Sequence, residues 1–97
     1  MVIHKINLDN ISSDVLPKGA TILHVGLDPN GNPSLWYMFS PAKEQETETR
    51  KFVVVFTGKE FDATNKTFIG TFQAGHLICH VFEQSLSSLL SSDNNQS

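Results

Sequence analysis

Phe52-Val53-Val54-Val55-Phe56 is apolar at all five positions. A strand with one face in water alternates apolar and polar residues, whereas an unbroken apolar run marks a strand covered on both faces. A chain of 97 residues has little material with which to cover two faces. The run therefore points to an all-β fold. It also raises the expectation of a homo-oligomer, in which a second copy supplies part of the cover.

Outward from this run the chain reads as short strands and turns. Val2 to Leu8 alternates, with Val2, His4, Ile6 and Leu8 on one face. Asp9 to Asp14 is turn-like, and Leu16-Pro17-Lys18-Gly19 punctuates again, with Ile11, Val15 and Leu16 pinning the loop to the core. Ala20 to Leu27 is a strand with Leu23, Val25 and Leu27 on one face and Ala20, Ile22, His24 and Gly26 on the other. The turn signal Asn30-Gly31 between Pro29 and Pro33 makes Ser34 to Ser40 its hairpin partner.

Pro41 to Glu48 is a charged loop, and Thr49 to Gly58 is the strand of the apolar run. Lys59 to Asn65 turns. Thr67 to Gln73 alternates, with Phe68, Gly70 and Phe72 opposite Ile69 and Thr71. After Ala74-Gly75, the last strand sets His76, Ile78, His80 and Phe82 against Leu77, Cys79 and Val81. About six strands at this spacing predict a small antiparallel barrel or sandwich.

The expected organisation is one β-rich domain over residues 1–83 and a tail over 84–97. Phe82, Leu86, Leu89 and Leu90 share one helical face, so a short C-terminal helix is expected if that face docks. Ser91 to Ser97 is polar and expected to lack fixed structure.

Bulk properties narrow the function. The net charge of −3 disfavours a general nucleic-acid-binding surface, although a local cluster of cations suffices for a small anion. A single cysteine, Cys79, allows no internal disulfide and suits a reducing cytoplasm. Neither a signal peptide nor a membrane-length apolar segment is visible, so a cytoplasmic protein without membrane attachment is expected.

No motif for a nucleophilic Ser, a phosphate loop or a dinucleotide site is present. His76 and His80 share a strand face but stand about 13 Å apart, too far for one metal ion. Neither a metal nor a cofactor is expected. Cys79, mid-strand among Leu77 and Val81, reads as a buried structural thiol. Glu60 and Asp62 with a histidine make a weak hydrolase candidate, and a solvated turn explains them as well.

Two groups fit a binding role. Trp36 and Tyr37 suit a stacking platform or an interface. Arg50, Lys51 and Lys59 bracket the apolar strand, with Thr57 and Gly58 at its exit, and basic side chains beside a glycine turn suit an anion. His76 or His80 would add a hydrogen bond.

Leu16-Pro17-Lys18-Gly19-Ala20, Leu35-Trp36, Thr57-Gly58, Ile69-Gly70-Thr71-Phe72 and His80-Val81-Phe82-Glu83 occur in an order that resembles a family of small uncharacterised bacteriophage and prophage proteins. The family commonly has an aromatic residue before its His-Val-Phe, where this chain has Cys79. The resemblance implies a phage accessory protein acting in a bacterial cytoplasm. Its most concrete form is a non-catalytic anti-defence protein that sequesters a small nucleotide-like signal. The alternative is an inhibitor or adaptor that binds a host or virion protein.

Overall fold

In the computed structural model, which describes residues 1–85, the apolar run lies in the second strand of a four-stranded antiparallel sheet. The strands in chain order are β1 (Val2–Asn7), β2 (Ile11–Pro17), β3 (Thr21–Leu27), β4 (Pro33–Phe39), β5 (Thr47–Phe56), β6 (Lys66–Ala74) and β7 (Leu77–Gln84). One 3-10 turn, Pro41–Lys43, precedes β5. Three strands form one sheet in the order β1-β4-β3, and four form the other in the order β2-β5-β7-β6. The sheets face each other as a sandwich without closing into a barrel, which decides between the two architectures expected. The C-terminal helix and the unstructured end lie outside the described residues.

The core sits between the sheets. Leu35, Tyr37 and Phe39 of β4 meet Phe52, Phe72, Cys79 and Val81 of the opposing sheet, with Leu16 closing one side. Phe52, Leu16, Leu35 and Val81 are wholly buried. The five-residue run divides by parity. Phe52, Val54 and Phe56 pack on the core, while Val53 and Val55 face the other way.

The described residues form seven strands rather than six, because Ile11–Pro17 is a strand and not a loop. Its polarity is inverted, which is why it does not read as one. Ser12 and Asp14 pair with Phe52 and Arg50 on the inward face, while Ile11 and Val15 are 62% and 66% exposed. Of the three residues expected to pin this segment, only Leu16 does so. An edge strand with a charge turned inward resists pairing with a second chain.

Two bulges reset the alternation. The β3–β4 register slips between Ile22 and His24, so Ile22 and Val25 both reach the core while Leu23 is exposed. The β6–β7 register slips between Phe68 and Gly70, so Phe68 faces outward and Ile69 packs inward. An extra residue on one strand inverts every side chain that follows it. That is why the expected faces of Leu23 and Ile69 are reversed.

The hairpins follow their turn chemistry. Gly75 has φ +61° at the first position of a two-residue loop, where a type II′ turn needs a left-handed residue. The β3–β4 loop is longer than the tight turn expected. Asp28 organises it, its Oδ1 accepting from the amides of Asn30 and Asn32, both at 2.9 Å. Its Oδ2 accepts from Lys5 Nζ at 2.6 Å, which ties the loop to β1. These donors, led by Lys5, hold the Asp28 carboxyl below its usual pKa.

Candidate functional site

The nine residues singled out in the sequence fall in separate places. Trp36 lies on the outside of the three-stranded sheet, between Lys5 and His24 in register and 5.6 Å from the His24 ring. Tyr37 points the opposite way into the core, stacked on Phe39 at 5.8 Å, with His4 edge-on at 6.2 Å. Burial pushes its phenol pKa up, and the nearby carboxylates of Asp14 and Glu44 act in the same direction.

Arg50 is also turned inward. Its Nε and Nη2 each donate to Glu83 at 2.7 Å, and its Nη1 donates to the Ala20 carbonyl at 2.6 Å. The guanidinium thus fastens the two sheets together at one end, and Glu83 holds its pKa up.

Lys51, Thr57 and His80 share the outer face of the four-stranded sheet. Antiparallel partners that stand opposite each other lie on one face. Ile11, Val53, Phe82 and Phe68 therefore form one row across all four strands. On one side of it runs a polar row of Ser13, Lys51, Gln84 and Lys66. On the other side stand Val55, His80 and Thr71. Every carboxylate on these four strands (Asp14, Glu48 and Glu83) occupies the opposite face.

The aromatic part of this face is built by three phenylalanines. Phe82 lies 5.6 Å from Phe68 and 5.1 Å from Phe61, which reaches it from the loop after β5. Phe61 and Phe68 are 45% and 55% exposed, so ring faces remain open to a ligand. Beside them His80 is held by two hydroxyls, with Nε2 2.7 Å from Thr57 Oγ1 and Nδ1 2.9 Å from Thr71 Oγ1. A neutral imidazole donates at one nitrogen and accepts at the other, so one hydroxyl proton is free to point outward; an imidazolium donates at both and frees two.

Gly58, with φ +90°, and the exposed Lys59 follow Thr57 at the end of β5. His76 is exposed in the β6–β7 turn. Trp36 is separated from this face by the whole thickness of the sandwich. Phe61, Phe68, Phe82, Thr71 and Lys66 were not singled out in the sequence. The pairing register brings Phe68, Phe82, Thr71 and Lys66 together, which no single strand carries, and the loop after β5 adds Phe61.

Cys79 is buried and its thiol pKa is raised by that burial. Among the described residues no group of three or more His, Cys, Asp or Glu side chains is placed to hold a metal ion. No described helix is long and apolar enough to cross a membrane.

Residues 1–89 match the family described as Domain of unknown function (DUF7352). The chain belongs to that family. The DUF7352 match covers every strand of the sandwich, and the expected membership of an uncharacterised family is met. No curated protein and no solved structure matches the chain.

Proposed function

We propose that the outer face of the four-stranded sheet captures a small anionic, nucleotide-like molecule, and that the protein binds it without turning it over. One observation carries this reading. Open phenylalanine rings, two lysines and a hydroxyl-bound histidine share a face from which the strand carboxylates are excluded. Base–aromatic stacking contributes about 1–3 kcal/mol per base, and lysines beside the rings meet the phosphate charge. The stacking role expected of Trp36 and Tyr37 passes to Phe68 and Phe82. Lys51, Thr57 and His80 keep theirs, with Lys59 at the margin. Sequestration needs affinity and no catalytic group. In a phage context it fits an anti-defence protein that withholds a nucleotide signal in the host cytoplasm.

A thermal-shift panel of cyclic nucleotides and ADP-ribose derivatives tests the proposal. At least one compound should raise Tm in the native protein and in Trp36→Ala, but not in Phe82→Ala or Lys51→Glu. Absence of a shift with every compound at saturation would sink it. Recovery of degraded nucleotide would instead support the hydrolase built on Glu60, Asp62 and a histidine.

The apolar row favours a second reading, an adaptor that lays this face on a host or virion protein. Phe68→Asp would then abolish capture of that protein while the nucleotide panel stays silent.

A further inference from the structure

The apolar run has incomplete cover on its inner side. Phe52 is wholly buried, but Val54 and Phe56, one and two steps further along the same face, are only half-buried. The reason is a cleft of about 620 Å³ between the two sheets at that end. Leu8 and Pro33 form its wall on one side, and Val54, Phe56, Phe72 and Cys79 form the other. A cavity of this volume, lined by aliphatic and aromatic side chains, is the size of an ordinary small-molecule site.

The mouth has a character of its own. Ile11 and Leu77, which flank it, are 62% and 50% exposed. Among the described residues lining the cleft, Asp9 is the only ionisable side chain apart from the Cys79 thiol, and none is basic. The Asp9 amide donates to Ser12 Oγ at 2.8 Å, which fixes its backbone. Its carboxylate accepts no hydrogen bond among the described residues and so remains open to a partner. An apolar slot with one free negative charge at its mouth suits an apolar body carrying a cation and disfavours a fatty acid.

We propose that this cleft binds the hydrocarbon body of a cationic amphiphile, with the ammonium group held at Asp9. The site lies on the inner side of β5 and shares only the rim residue Ile11 with the outer face, so it does not rest on the nucleotide-like ligand proposed there.

The test uses the full chain and the fluorescent apolar probe N-phenyl-1-naphthylamine. Dodecylamine, dodecanol and dodecanoate then compete for it at pH 7, the two ionic compounds below their micelle concentrations and dodecanol below its solubility limit. Dodecylamine should displace the probe about tenfold more readily than dodecanoate, because one head group is attracted and the other repelled. Asp9→Asn should close that gap and leave dodecanol unchanged. Ala74→Phe, which projects a ring into the cleft, should abolish probe binding in a protein whose circular dichroism is native. As a measurement free of any variant, dodecylamine should slow modification of Cys79 by a thiol reagent, and butylamine should not. The proposal is overturned if the probe does not bind, if Asp9→Asn leaves the gap intact, or if Cys79 is equally reactive with and without dodecylamine. A concentration-dependent dimer that excludes the probe would overturn it too, by showing that a second copy fills the cleft.

Discussion

Arg50 grips Glu83 through two parallel hydrogen bonds of 2.7 Å, and its third bond reaches the Ala20 carbonyl across the sandwich. The pair joins β5 to β7, and the third bond joins both to the residue before β3. The side chains are 16% and 24% exposed, so little water replaces a lost partner. Arg50→Ala should cost about 2–3 kcal/mol, because it leaves Glu83 as a part-buried charge without its partner. Glu83→Gln keeps a neutral hydrogen bond and should cost about 1 kcal/mol. Urea unfolding measures both, and an Arg50→Ala loss below that of Glu83→Gln would refute the fastening role.

Gly70 has no room for a side chain. A Cβ there would stand 2.8 Å from Val25 Cγ2 on the facing sheet. Gly70→Ala should therefore destabilise by about 1–3 kcal/mol through overpacking. Removing the colliding methyls should relieve it, so Val25→Ala with Gly70→Ala should cost less than the sum of the single changes. Strict additivity in the double-mutant cycle would show that the contact is not the cause.

Asp14 Oδ2 is buried without a hydrogen-bond partner. Burial raises the Asp14 pKa, and the Asp9 charge adds to the effect. A carboxyl whose pKa is higher folded than unfolded stabilises the fold when protonated, and that contribution fades as pH rises through the folded value. Asp14→Asn should accordingly stabilise the protein at pH 7, by roughly 0.5 kcal/mol for a part-buried group, and make no difference below the carboxylate range. Urea midpoints at pH 3 and pH 7 give both comparisons; a variant less stable at neutral pH would refute the account.

Asp28 is the opposite case. Its pKa is lowered, first by Lys5 and then by the Asn32 amide. Its contribution is present above the ordinary carboxylate pKa and is lost as pH falls through the depressed folded value. Asp28→Ala should lower Tm at pH 7 by more than Asp62→Ala, whose exposed carboxyl is held mainly by neighbouring Thr64, with Lys66 adding a smaller pull. The difference between the two should narrow in acid.

His80→Ala should barely change stability, within about 0.5 kcal/mol, because its hydroxyl partners lie at the surface. The same change should weaken any anion bound on the outer face, since it removes the group that orients Thr57 and Thr71. Calorimetric titration with a ligand from the nucleotide panel separates these effects; unchanged affinity would remove His80 from the site.

The sequence carried the fold class because Val2 to Leu8 alternates with a period of two, and Phe52 to Phe56 is a short β-branched and aromatic run bounded by turn signals. It concealed β2 because Ser12 and Asp14 occupy the inward positions where apolar residues were expected. Alternation alone puts Leu23 and Ile69 on the wrong faces, because a bulge is a property of a pair of strands. The surface proposed to bind a ligand is legible in the sequence only as fragments. The chemistry of Lys51, Thr57 and His80 is visible in the sequence, but their sharing a face with Phe68 and Phe82 depends on register. Arg50 looked free because its partner is 33 residues away.

The two bulges also bear on self-association. They interrupt β3 and β6, which are edge strands of their respective sheets and pack against each other. A broken ladder is a poor template for another chain. Of the other two edges, β2 carries the inward Asp14 and ends at Pro17, whereas β1 pairs with β4 without interruption over six residues. Growth into a fibre, should the protein ever be driven that way, would start along β1.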